Sequence, residues 1–145
     1  MMLTLHEDDR QFPYGDADGR TLRPGSIVNG NVTIGIGRNL TGKGLSEPER
    51  QLLFGNDLAD VERQLSGALP WTSALDPVRR CILADMCFNM GINRLLAFTR
   101  TLSLIRTGRY VEAAGAMLDS LWAKQVGQRA IRLAKMMESG VWYTT

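Results

Sequence analysis

Glu7 and Asp16 stand nine residues apart in the stretch Glu7-Asp8-Asp9-Arg10-Gln11-Phe12-Pro13-Tyr14-Gly15-Asp16-Ala17-Asp18-Gly19. Cleaving a glycosidic bond takes two carboxyls, one protonated to release the leaving oxygen and one ionised on the opposite face of the sugar. A Glu at the end of a short apolar helix, expected around residues 2 to 9, and an Asp in a Tyr/Gly turn can face each other across a cleft in that way. The Gly-rich strand Thr33-Ile34-Gly35-Ile36-Gly37 follows soon after.

Other chemistries fit these residues less well. Asp16-x-Asp18-Gly19 invites a calcium loop, but the first ligand position would be Tyr14 and the closing acidic position Gly25. Thr33 to Gly37 is not followed at once by a helix start, so it is no dinucleotide fingerprint. His6, the only histidine, adjoins Glu7, and a helical neighbour points about 100° away. With no second histidine and no suitable cysteine pair, neither a metal site nor a cofactor is expected. A Glu and an Asp on a solvated surface is the plain competing reading, and the flanking motifs weigh against it.

The elements around these residues change character along the chain. Residues 13 to 44 are punctuated by Gly and Pro, and Ile27-Val28, Asn29-Gly30 and Val32-Thr33-Ile34 spell a hairpin, because Asn-Gly supplies the positive φ angles of a tight turn. Ser46-Glu47-Pro48-Glu49 is a capping box, and Leu52, Leu53, Leu58, Val61 and Leu65 keep helical spacing behind it. A long helix should end near Ser66-Gly67. Asp76-Pro77 starts another, apolar on most sides through Met90 and stopped by Gly91. Further helices are expected over Leu95 to Ile105, Tyr110 to Leu118 and Val126 to Met137, with turns at Thr107-Gly108 and Ser139-Gly140. The fold class is α+β: a small β lobe at about 10–45, a connecting helix at about 46–66 and a helical lobe at about 67–145 that includes the N-terminal helix. The cleft between the lobes is the expected ligand site.

The chain of 145 residues suits one domain, and its 44% hydrophobic and 22% charged residues lie in the ordinary globular range. Residues 1–70 carry seven basic against ten acidic side chains, and residues 71–145 carry ten against five. A basic half beside an acidic one suits an anionic polymer. Nucleic acid is disfavoured, since the basic residues are scattered singly and no binding motif appears. Cys81 and Cys87 lie six apart in one expected helix, point in different directions and read as reduced core residues. No signal peptide or membrane-spanning apolar run is evident, so no stable membrane insertion is expected and folding in a reducing cytoplasm follows. Trp71, Trp122 and Trp142 could stack on sugars, although Trp122 and Trp142 read better as packing residues of the helical lobe.

Glu7, Tyr14-Gly15-Asp16-Ala17-Asp18-Gly19 and Thr33-Ile34-Gly35-Ile36-Gly37 resemble the Glu, Tyr-x-Asp-x-x-Gly and Thr-Ile-Gly-x-Gly elements of the T-even phage lysozyme family. Asp76-Pro77-Val78-Arg79-Arg80-Cys81, Phe88-Asn89-Met90-Gly91, Ala97-Phe98-Thr99, Glu112-Ala113-Ala114, Trp122, Arg129-Ala130 and Gly140-Val141-Trp142 follow in the family's order. The resemblance implies a lysozyme-like fold and an inverting muramidase that hydrolyses the β-1,4 bond between N-acetylmuramic acid and N-acetylglucosamine in peptidoglycan. It implies Glu7 as general acid, Asp16 as the ionised partner of a water, and Thr33 as a holder of that water. Asn39, Phe88, Thr101 and Ala116 would line the sugar-binding cleft, with Tyr14 and Arg129 in support. Arg129 is expected to pair with Glu7 when the cleft is empty.

Four departures from the family's best-known member stand out. The interval from Gly19 to Thr33 is longer, which makes Thr21 a competitor of Thr33. The interval from Gly37 to Ser46 is shorter. Arg38 replaces a His, removing a possible salt bridge, and Ala116 replaces a polar side chain.

By the same resemblance the protein would be a monomeric endolysin, held in the bacterial host cytoplasm until a holin opens the way to the periplasm and cell wall. Its partner would be peptidoglycan glycan strands. A secreted toxin or a virion-borne enzyme is the same chemistry in another setting. A wall-binding protein without turnover and a lytic transglycosylase are the rivals of other kinds.

Overall fold

A computed structural model describes residues 8–144. The chain is mixed α+β and divides into two compact units, with the boundary between Leu52 and Leu53. That boundary falls inside one continuous helix, and each unit has its own internal logic.

The first unit is built on a three-stranded antiparallel sheet in the order β1 (Asp9–Gly15), β2 (Val32–Ile36), β3 (Arg38–Asn39). Asp8 is outside any helix and Asp9 already belongs to β1, so the helix expected around residues 2 to 9 does not extend that far, and residues 2 to 7 lie outside those described. The register runs Asp9 with Ile36, Arg10 with Gly35, Tyr14 with Thr33 and Gly15 with Val32, leaving an irregularity between Arg10 and Tyr14. Pro13, which has no N–H to give to a ladder, sits in that bulge.

The hairpin expected from Ile27-Val28 to Val32 does not form. Residues 27 and 28 are outside any strand and Ile27 is 87% exposed. The edge of β2 on that side is taken by β1, and the Asn-Gly bend closes against the loop after β1 instead. Local chemistry specifies the bend but not its partner, because partner choice depends on a contact far away in sequence.

A one-turn helix α1 (Leu40–Lys43) follows β3, capped by Asn39, whose side chain accepts from the Gly42 N–H. The long helix α2 (Glu47–Ala68) then opens on the expected capping box. Ser46 N–H donates to Glu49 Oε2 at 2.8 Å and Glu49 N–H to Ser46 Oγ at 3.3 Å. Glu49 also pairs with Arg38, which donates to Gly44 O as well. Arg38, which stands where the family's best-known member has a His, thus has an ion pair of its own, with Glu49.

Arg38 first, and then the Ser46 N–H, push the Glu49 carboxyl down to about 2. A carboxyl depressed on folding stabilises the native state above its unfolded value and loses that contribution as pH falls through the folded one. Denaturation of the wild type and Glu49→Gln should therefore differ at neutral pH, and the difference should fade between the ordinary value of 4.5 and about 2. A difference that persists unchanged at the acid end would mean that the carboxylate charge is not the stabilising feature.

The second unit is helical. After a 3-10 turn (Pro70–Ala74) come α3 (Pro77–Met90), α4 (Ile92–Leu96), α5 (Thr99–Arg106), α6 (Tyr110–Leu118), α7 (Leu121–Val126) and α8 (Gln128–Ser139). Asp76 caps α3 by accepting from the Arg79 N–H at 3.0 Å, with Pro77 in the first turn. Leu65, Ile82, Leu83, Met86, Leu95, Ile105, Met117 and Met137 are completely buried, so α2, α3, α4, α5, α6 and α8 share one core. Each such side chain contributes about 1.5–3 kcal/mol of hydrophobic stabilisation.

Two expected helices are interrupted. The stretch Leu95 to Ile105 breaks at Ala97-Phe98, where Ala97 and Phe98 donate to carbonyls three residues back and Phe98 turns toward the core. The stretch Val126 to Met137 breaks at Gly127, with φ +57, so that α7 ends and α8 begins there. Apolar periodicity continues through both breaks, which is why spacing alone does not reveal them.

Cys87 is buried, its thiol pushed up by burial, while Cys81 is exposed rather than in the core. Both are free. Trp122 is 5% exposed and in the core, Trp71 is half-buried against it, and Trp142 is on the surface. Among the described residues no helix is long and apolar enough to cross a membrane.

Candidate functional site

In the first unit the sheet gathers Tyr14, Asp16, Thr33 and Asn39. Tyr14 pairs with Thr33 across β1 and β2, and Thr33 pairs with Asn39 across β2 and β3. Directly opposed residues of an antiparallel ladder project to the same face, so these three form one row. Thr33 is the buried member, at 5% exposure. Asn39 spends its side-chain oxygen on the cap of α1, which leaves the amide N–H₂ as its donor.

Asp16 lies one residue beyond β1 and is exposed to solvent. Both of its carboxylate oxygens are held by one residue: Asn31 N–H donates to Oδ1 at 2.7 Å and Asn31 Nδ2 donates to Oδ2 at 3.1 Å. Asp16 N–H returns a bond to Asn31 O at 3.0 Å. Next to this clamp, Asp18 accepts from Asn29 Nδ2 at 2.7 Å and from the Arg20 N–H at 2.9 Å. The Asn29 amide first, and then the Arg20 N–H, hold the Asp18 carboxyl below the usual range.

Gly30 separates the two asparagines. A Cβ there would stand 2.1 Å from Asp16 Oδ1, and its φ is +77°, so only glycine allows this approach. Arg10 fixes the other side of the loop, donating to Gly19 O at 2.8 Å and Thr21 Oγ1 at 2.9 Å while its guanidinium lies 4.0 Å from the centre of the Tyr14 ring. Thr21, the competitor of Thr33, also bridges Tyr14 but is exposed and has its hydroxyl engaged by Arg10, whereas Thr33 is buried on β2.

Asn29, Gly30 and Asn31 were not expected at the site. Their signal was the Asn-Gly-Asn run itself, two side-chain amides flanking a glycine shortly before the Thr-Ile-Gly strand. Glu7 and His6 lie outside the described residues.

The second unit carries the other expected residues. Phe88 on α3 is 43% exposed and meets Phe54 of α2 edge-on, with ring centres 5.8 Å apart. Thr101 on α5 is buried and presents almost no surface, and Ala116 on α6 is half-buried against the core. Arg129 on α8 donates to Asp85 Oδ1 at 2.7 Å. Asp85 is its partner among the described residues; the expected pairing with Glu7 falls on a residue outside them. Among the described residues no group of three His, Cys, Asp or Glu side chains could hold a metal ion. The arrangement is a solvent-facing carboxylate with a donor on each oxygen, which suits the polarising of a water molecule.

The family model for phage lysozymes matches residues 15–137. The pre-baseplate central spike protein Gp5 of Enterobacteria phage T4 is 30% identical, in an alignment that covers 96% of this chain and 27% of that protein. The chain thus spans about a quarter of the spike protein's length. Two proteins of Dictyostelium discoideum, probable T4-type lysozymes 1 and 2, are 29% and 26% identical, with 96% of this chain and 92% of each relative covered. A match over most of the chain, on an α+β fold with a small N-terminal antiparallel sheet, places this protein in the phage lysozyme family of glycoside hydrolases.

Proposed function

We propose that the chain is a muramidase that hydrolyses the β-1,4 bond between N-acetylmuramic acid and N-acetylglucosamine in peptidoglycan. The observation that carries this reading is the orientation of Asp16, an exposed carboxylate with a hydrogen bond on each oxygen in a chain of the phage lysozyme family. Asp16 accepts the proton of a water as it attacks the anomeric carbon, and Thr33 helps to seat that water. Glu7 protonates the departing glycosidic oxygen from the other side, so the anomeric centre inverts. Asn39 of the first unit and Phe88, Thr101 and Ala116 of the second are the residues that the family resemblance assigns to binding of the glycan strand.

In its biological setting we infer a monomeric endolysin that lyses its host, held in the cytoplasm until a holin gives access to the wall. A virion-borne enzyme is the second reading, supported by the 30% identity to the spike protein of phage T4.

The test is the chemistry of the new ends. Purified protein acting on outer-membrane-permeabilised Gram-negative cells should clear them and release muropeptides with reducing N-acetylmuramic acid ends. Products lighter by one water, with 1,6-anhydro ends, would identify a lytic transglycosylase. Binding to the wall without any release would make the chain a wall-binding protein.

A further inference from the structure

We propose that Asn31 is the positioning residue of Asp16, delivered by the long segment between Gly19 and Thr33. The inference rests on the reading of Asp16 as the carboxylate that activates water, and deepens it. Three hydrogen bonds join the two residues: Asp16 N–H to Asn31 O at 3.0 Å, Asn31 N–H to Asp16 Oδ1 at 2.7 Å and Asn31 Nδ2 to Asp16 Oδ2 at 3.1 Å. A carboxylate only accepts, so the Asn31 amide must turn its N–H₂ toward Oδ2. With one donor fixed on each oxygen, the plane of the carboxylate is set, and each oxygen keeps a further lone pair for a water.

Asn31 is itself held. Asn29, two residues earlier, donates from Nδ2 to Asp18 and accepts at its carbonyl from the Ala17 N–H at 3.4 Å. Gly30 allows the chain to pass close to Oδ1, where any Cβ would collide. The arm 29–31 is thus tied to both acidic residues of the loop after β1. Asp16 is exposed, and an exposed side chain without such ties would sample several rotamers. Displacement of a reacting group by about 1 Å can cost on the order of 100-fold in rate. Asn31 acts on the water only through Asp16.

The test compares wild type, Asn31→Ala, Asn31→Ser and Asp16→Asn on soluble peptidoglycan fragments, with kcat, KM and thermal unfolding measured for each. Asn31→Ala should keep its KM within about 2-fold and lose about 10- to 100-fold in kcat. Asn31→Ser, which retains a side-chain donor, should recover part of that loss. A kcat for Asn31→Ala within about 2-fold of wild type would overturn the positioning role alone. So would equal kcat losses in the Ala and Ser variants accompanied by parallel falls in melting temperature, since that pattern marks a loop staple. An inactive wild type, or an Asp16→Asn variant as active as wild type, would overturn the underlying reading and this inference with it.

Discussion

Asp16→Asn is expected to lower turnover by about 10²- to 10⁴-fold, the usual worth of a positioned general base, and Glu7→Gln by a similar factor as the loss of the general acid. The structure makes the Asp16 experiment more informative than a simple knock-out. Both oxygens of Asp16 accept from donors on Asn31, and an amide at position 16 can accept on one side only. The N–H₂ of that introduced amide would confront the Asn31 N–H₂, or else the Asn31 backbone N–H. Lost activity in Asp16→Asn therefore mixes the missing charge with a broken clamp.

The double variant Asp16→Asn with Asn31→Asp separates the two. The new amide at 16 accepts from the backbone N–H at 31 and donates to the new carboxylate there, so the hydrogen bonds return with the charge on the wrong residue. Its thermal stability should recover toward wild type while its turnover stays as low as that of Asp16→Asn. Restored turnover in the double variant would show that a carboxylate at position 16 is not what the chemistry needs.

Which parts of this were readable from sequence follows from how far apart the deciding residues lie. The capping box at Ser46 and Glu49, the start of α3 at Asp76-Pro77, its stop at Gly91 and the whole of α6 were legible, because caps and apolar spacing act within a few residues. The motifs Tyr14-Gly15-Asp16 and Thr33-Ile34-Gly35 were legible as a site by resemblance. Their alignment across β1 and β2 needed the register, which no local signal fixes. The segment from Gly19 to Thr33 was the least readable. Its Asn29-Gly30 is a bend with positive φ at Gly30 alone rather than a tight hairpin turn, and what it does depends on Asp16 and Asp18, more than ten residues earlier. Arg38 and Arg129 show the same limit: their ion pairs with Glu49 and Asp85 join residues 11 and 44 positions apart, and no local pattern announces them.

The largest stability effect from a single polar residue is expected at Arg79. Its side chain is 13% exposed and ends in a guanidinium with a hydrogen bond from each of its three nitrogens. Nε donates to Met137 O at 2.8 Å, Nη2 to Glu138 O at 3.0 Å and Nη1 to Asp76 Oδ1 at 3.2 Å, and the guanidinium stacks 3.5 Å from the centre of the Tyr110 ring. Met137 and Glu138 are in the last turn of α8, whose carbonyls have no partners within the helix. A cation there also meets the negative end of the helix dipole. Gly140 follows in the left-handed conformation, and a Cβ on it would come within 2.8 Å of Nη1. The end of α8 and the start of α3 are therefore joined by one side chain that also covers α6. Arg79→Ala removes charge-assisted bonds worth about 1.5–3 kcal/mol each when isolated from their neighbours. Because Asp76 and the carbonyls regain water, a net loss of about 2–4 kcal/mol is expected. Arg79→Lys should recover little of it, since an ammonium cannot present three directed donors in one plane or stack on Tyr110 in the same way. Equilibrium denaturation of the three proteins decides the matter. An Arg79→Lys variant as stable as wild type would reduce the role of Arg79 to that of a charge at a helix end.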